Sequence, residues 1–278
     1  MSVLESWARR RGPAARRSLA RPAQAGVRRA LPLLSVASLS LIVMLWWALT
    51  SRFHLIVPLK FPTPGEVVDS FRTLRTQLLH DAWSTFVRVL ASWVTGSLLG
   101  IAVGLAMVRS RIVFYAIAPI VEALRPVPPV ALIPFVILWF GIGESGKFFL
   151  GALGCFMVMA INTIVASNNV PPVYLRAARS LGATQNQVYR TVILRAIVPQ
   201  LFSGLRIGAA LTFAVVVAAE FMGAESGIGA LIMLASRTLN TPVVLLGTII
   251  IGLEALLLEQ AIRLLSRSLT SWVERADD

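Results

Sequence analysis

Between Arg29 and Arg52 the chain carries no charged residue, and residues 31–50 form an apolar run. About 20 such residues are what a helix needs to cross a bilayer. The pattern recurs at residues 82–108, 112–140, 148–167, 197–221 and 243–265, which predicts six spans. Only helices and closed barrels satisfy every backbone group inside lipid. Runs this long and this apolar select the helix, so the expected fold is all-α and polytopic. Composition agrees. Of 278 residues 56% are hydrophobic and 14% charged, with a mean hydropathy of +0.76. Soluble domains carry roughly 25% charged residues. The first run is longer than the apolar core of a signal peptide, and no small-residue cleavage pattern follows it, so it is expected to stay as a span.

The formal charge is +13, from 26 Lys+Arg against 13 Asp+Glu. A surplus of this size suits nucleic acid as well as a membrane surface. Its placement favours the membrane, and no nucleic-acid partner is expected. Eight arginines lie within residues 9–29, and most of the others flank apolar runs. With the N-terminus inside, 17 cations fall on the cytoplasmic side, 6 outside, and Arg88, Arg125 and Arg206 within spans. The positive-inside rule therefore puts both termini in the cytoplasm. Residues 1–30 read as a basic cytoplasmic arm, 31–270 as the membrane domain and 271–278 as a cytoplasmic tail. One cysteine and two histidines leave no material for a disulfide framework or a His/Cys metal centre.

Within the spans, Gly96, Gly100 and Gly104 recur every four residues and make a smooth stripe on one helical face. Gly204 and Gly208 repeat the device in the fifth run. Small residues let helices approach closely where lipid removes the hydrophobic drive to associate. Residues 141–146 fit the dinucleotide pattern G-x-G-x-x-G, and with Lys147 most of a P-loop. Phe148 stands where a P-loop needs Ser or Thr, and apolar spans flank the motif, so a tight turn is expected there. No catalytic set is visible.

Two segments depart from the span pattern. Pro126, Pro128, Pro129 and Pro134 follow Glu122 and Arg125, and remove four backbone donors. Broken helix at membrane depth is tolerated inside protein or beside a water-filled cavity. Glu122, Arg125, Pro126, Pro128, Pro129 and the later Glu220 are therefore candidates for a translocation path, with a structural Glu122–Arg125 ion pair as the competing reading. Residues 174–199 are polar and basic, with Leu175, Ala178, Leu181 and Val188 spaced as short amphipathic helices interrupted at Gly182. Such a pair suits docking of another protein or lying on lipid.

The second segment resembles the E-A-A loop of ABC importer permeases, E-A-A-x-x-x-G followed by nine residues and I-x-L-P. Ala177, Ala178, Gly182 and Leu194 match in register, while Arg176, Val192 and Arg195 replace the Glu, Ile and Pro. The stretches from Leu124 to Glu144 and from Ala218 to Gly229 resemble the nitrate/sulfonate/taurine subfamily. The resemblance implies a type I importer permease fold in the bacterial inner membrane. It also implies a homodimer bound to two cytoplasmic ATPases and served by one periplasmic binding protein. The ATPase-coupling loop would be residues 168–195, with Arg176, Ala177, Ala178, Gly182, Ala183 and Leu194 as its contacts. ATP and Mg would be held by the partner ATPase and no cofactor by this chain, which would carry a small anion and catalyse nothing. An ion-coupled secondary carrier, with Glu122 or Glu220 as its titratable group, is the alternative.

Overall fold

The computed structural model describes residue 34, residues 36–53 and residues 61–270. The basic arm, residues 1–30, and the tail, residues 271–278, lie outside the described residues. The chain divides after Glu66 into two units.

The first unit holds α1 (Val36–Arg52), whose last turn widens to a π-helix at Ala48–Arg52. Leu39, Leu41, Ile42 and Met44 are exposed, as suits a helix side meeting lipid. Trp46 donates its indole N–H to the Pro62 carbonyl at 2.9 Å and meets Phe61 edge-on. At the end of this unit Thr63 and Glu66 form a capping box: the Glu66 carboxylate accepts from the Thr63 N–H at 2.7 Å, and Thr63 Oγ1 from the Glu66 N–H at 3.3 Å. With Pro64 in the first turn, this fixes the start of α2 (Pro64–Arg109).

The second unit continues α2 and adds α3 (Arg111–Leu124), a 3₁₀ turn at Pro129–Leu132, α4 (Ile133–Phe140), α5 (Glu144–Asn168) and α6 (Pro172–Ser180). It closes with α7 (Gln185–Phe221), α8 (Ile228–Arg237) and α9 (Thr241–Leu269). Among the described residues no strand occurs, as the all-α expectation requires. α2, α5, α7 and α9 are each long and apolar enough to cross a membrane. α3 and the 129–140 segment pass that test only together, bent by 84° at the proline break.

Among the described residues the count is therefore four spans, or five with the bent pair, against the six expected. The remaining one falls on α1, whose described part is shorter than a crossing needs. The second apolar run, residues 82–108, is only part of α2. The helix begins at Pro64 rather than near residue 82 and is about 69 Å long at 1.5 Å per residue, roughly twice the hydrocarbon thickness.

α5 is the central helix, with Cys155, Met159 and Ala160 fully buried. The glycine stripe of α2 lies against it. A Cβ on Gly100 would stand 2.6 Å from the Phe156 carbonyl oxygen and 2.7 Å from Met159 Cβ, and one on Gly104 would stand 2.7 Å from Thr163 Cβ. On the other side Gly204 of α7 faces Asn162, and Gly208 faces Cys155. α9 completes the bundle, packing Leu258 and Ile262 on Phe202, Ala209 and Phe213 of α7 and on Val89 of α2.

Candidate functional site

Three places carry the sequence candidates. The first is the turn after α6. There the Ala183 N–H bonds the Ala178 carbonyl at 3.1 Å and the Gly182 N–H bonds the Arg179 carbonyl at 2.9 Å. This is a Schellman end, and it requires a left-handed residue after the helix. Gly182 supplies it at φ +82°, with open space where a side chain would stand. Thr184 and Gln187 then form a capping box that starts α7. The two short elements enclose an open groove of about 850 Å³ lined by Tyr174, Ala177, Ala178, Leu181, Val192 and Arg195, among others.

Arg176 and Ala177 are exposed, Ala178 and Ala183 half-buried, and Leu181 stands 88% exposed at the lip. Leu194 lies elsewhere. It packs inward on Ala166, Val170 and Ile197, while Arg195 lines the groove. The turn is tied to α2 by Tyr189, whose hydroxyl donates to the Leu105 carbonyl at 3.2 Å, and by Arg109, which donates to Asn186 Oδ1 at 2.5 Å.

The second place is the break. Arg125 ends α3, and its N–H still reaches the Val121 carbonyl at 2.9 Å. Pro126 and Pro128 are exposed and Pro129, half-buried, opens the 3₁₀ turn. Glu122 and Arg125 are both exposed, and among the described ion pairs none joins them. They border a small, mostly apolar cleft with Phe114, Val121, Ile161 and Val165.

The third place, at the opposite end of α7 from the groove, gathers charge. Glu220 is 1% exposed. Its carboxylate accepts from Arg88 Nη1 at 2.7 Å, from the Gly229 N–H at 2.9 Å and from the Thr85 hydroxyl at 3.0 Å. Arg88 also donates to the Ser226 carbonyl and hydroxyl, each at 2.8 Å, and to both carboxylate oxygens of Glu144. Buried Lys147 donates to Glu144 at 2.8 Å. Asp81 accepts from the Gly227 N–H at 3.0 Å, and Thr85 from the Ile228 N–H at 2.9 Å.

One guanidinium thus joins α2, α5, α7 and the loop before α8. The glycines follow from it. Gly227 sits at φ +116°, and a Cβ there would stand 2.5 Å from the Glu220 carboxylate and 2.6 Å from Arg88. Of this cluster the sequence singled out only Glu220 as a site. The overlooked signal was Arg88, a charge inside an apolar run, with Glu144 and Lys147 just before the start of another. The G-x-G-x-x-G stretch lies in the same region as a turn into α5, with Gly141 at φ +73° and no strand beside it among the described residues.

A bundle of membrane-crossing helices with an exposed, grooved turn at one end and an internal ion cluster at the other is the build of a membrane permease. The chain belongs to the family of binding-protein-dependent transport system inner membrane components, which matches residues 96–271. It is 38% identical over 246 residues to the taurine transport system permease protein TauC of Escherichia coli strain K12, covering 86% of this chain and 89% of that one. It is 30% identical over 233 residues to the putative aliphatic sulfonates transport permease protein SsuC of Bacillus subtilis strain 168, covering 83% and 84%. The fold is shared with a solved inward-facing structure of the MetNI methionine ABC transporter, at TM-score 0.58 and 22% identity over 71% of this chain and 98% of that one. The protein is therefore a multi-pass inner-membrane permease of an ATP-driven ABC importer. It is a transport subunit that works with ATPase and binding-protein subunits, and ATP hydrolysis resides in the ATPase.

Proposed function

We propose that two copies of this chain form the path by which a small sulfonate such as taurine, or a related anion, enters the cell. A periplasmic binding protein delivers the anion and two cytoplasmic ATPases, which hold ATP and Mg, drive the cycle. The observation that carries the coupling half of this reading is the groove of about 850 Å³ beside the Gly182 turn, apolar in part and bordered by Arg195. Arg176, Ala177, Ala178 and Ala183 form the contact surface, and Leu194 holds it from behind. Both termini face the cytoplasm, which puts the Gly182 turn on the ATPase side. The proline break with Glu122 and Arg125 lines the path. Glu220 serves the route through the backbone it holds, since its carboxylate is spent on Arg88, Thr85 and Gly229.

The test is uptake into proteoliposomes holding this chain and its ATPase, with binding protein added outside. Taurine accumulation should require ATP and survive a protonophore. Accumulation without ATP that a protonophore abolishes would instead mark an ion-coupled carrier. Topology is checked separately by thiol labelling from outside in a variant lacking Cys155. A cysteine at position 145 should react and one at position 184 should not, and labelling at 184 would reverse the orientation.

A further inference from the structure

Three arginines sit within the spans, and the structure uses them differently. Arg88 has its donors spent on Glu144, Glu220 and Ser226. Arg125 stands exposed at the end of α3. Arg206 is partly buried in α7, its Nε is sealed from solvent, and among the described residues that nitrogen has no hydrogen-bond partner. No carboxylate pairs with it there either. At 1.5 Å per residue it lies about 22 Å along the helix from Phe221, deep within a span. An unspent guanidinium at that depth is costly, and intramembrane charges usually face a bundle interior or a water-filled path.

The faces of α7 say where it looks. Gly204 and Gly208 turn to α5. Phe202, Ala209 and Phe213 turn into the core with α9. Ser203, Ile207, Ala210 and Ala214 form the one stripe left exposed along this stretch, and at 100° per residue Arg206 stands on its border. A cation whose terminal nitrogens have no described hydrogen bond or ion pair, beside the uncovered face of Ser203, Ile207, Ala210 and Ala214, has the chemistry of an anion subsite. A sulfonate fits it: one negative charge and three acceptor oxygens, matched to the terminal N–H groups of the guanidinium.

We infer that Arg206 is a transient binding site for the sulfonate group within the membrane, on the open face of α7. The inference rests on the proposed anion import and adds the residue that meets the anion there. It predicts which residue sets charge preference along the path, a role that Arg88 has no free donors to fill.

The test reads charge at that face without needing transport. Ala210→Cys, one turn from Arg206, is placed in a Cys155→Ser background and purified with the ATPase. It is then reacted with sulfonatoethyl methanethiosulfonate and with its trimethylammonioethyl counterpart, with and without ATP. Arg206→Gln should lower the anionic-to-cationic rate ratio about tenfold, the scale on which a fixed charge concentrates counter-ions. Arg206→Lys should retain most of the ratio. Taurine and ethanesulfonate should each slow the anionic reagent when Arg206 is present and not in the Gln variant.

An unchanged ratio in Arg206→Gln overturns the inference. So does a thiol at position 210 that neither reagent reaches in either nucleotide state, because the face would then be closed to ions. Loss of ATPase association in both the Gln and the Lys variants would make Arg206 a structural pairing residue and also overturn it. Wild-type proteoliposomes that import no sulfonate would count against the proposed substrate, and the reagent ratio would still report on Arg206.

Discussion

Removing Arg88 is the most informative single perturbation of the fold. Arg88→Met deletes every donor to Glu220 from α2 except the Thr85 hydroxyl and strands a carboxylate whose side chain is 0% exposed. Breaking a buried ion pair from one side costs about 3–5 kcal/mol, because the remaining charge stays buried without its partner. The bond to Glu144 adds little, since that side chain is 63% exposed and exposed pairs contribute about 0–1 kcal/mol. A total near 4 kcal/mol follows. At about 2–4 °C per kcal/mol for a chain of this size, the thermal midpoint should fall by roughly 8–16 °C. The assay is heat-step gel filtration of the detergent-solubilised permease–ATPase complex.

The compensating variant makes the argument specific. Arg88→Met with Glu220→Gln removes the stranded charge and keeps an acceptor for the Thr85 hydroxyl and the Gly229 N–H. It should recover about half of the loss, since neutral replacement of a buried pair costs far less than removing one partner. A single variant that melts within about 2 °C of the wild type, less than 1 kcal/mol would give, refutes the clamp. A double variant no more stable than the single one refutes the charge argument.

Other perturbations test other contacts. Gly100→Ala drives a Cβ into the Phe156 carbonyl and Met159 and should cost about 1–3 kcal/mol, whereas Gly252→Ala, with nothing within 4 Å, should leave the midpoint unchanged or raise it slightly. Gly182→Asp puts a β-carbon at φ +82° and an acid in the proposed dock. Membrane insertion should persist while co-purification with the ATPase is lost, and normal co-purification would remove Gly182 from the dock. Arg125→Gln should assemble and melt like the wild type, because no ion pair with Glu122 exists to lose, yet import the anion more slowly. Poor assembly rescued by Glu122→Gln would restore the structural reading of that pair.

Local features of this fold were legible in the sequence. The long apolar runs, the four-residue glycine spacing of α2, the proline break and the turn at Gly182 each depend on residues close together in the chain. The ion cluster was not, because Arg88 meets Glu144 56 residues away and Glu220 132 residues away. No periodicity encodes pairings between separate spans. Leu194 was placed in the dock by its register in the E-A-A motif. The π-helical stretch at Val188–Ile193 changes the helical phase just before it, so that Arg195 reaches the groove and Leu194 the interior. The start of α2 was missed for a different reason. Hydropathy reports which residues meet lipid, whereas Thr63, Pro64 and Glu66 report where the helix begins.

The same contacts say where this bundle can bend. α2 and α5 meet backbone to side chain along Gly96, Gly100 and Gly104, and α5 and α7 meet through Gly151, Gly204 and Gly208. At those approaches the neighbouring atom is often a carbonyl or a Cβ, which cannot swing aside as the tip of a long side chain can. Packed interiors of this kind are bistable at best and do not deform continuously. Arg88 then pins all three helices together at the end far from the groove. A displacement delivered at Gly182 should therefore carry these helices as one body. The compliance is left to α3 and α4, whose join is an 84° bend with its proline donors missing and its surface exposed. On this reasoning the break, which we propose lines the path, should also be where the bundle bends during the cycle. Stiffening it should slow transport while leaving ATPase docking intact, which sets it apart from damage at Gly182.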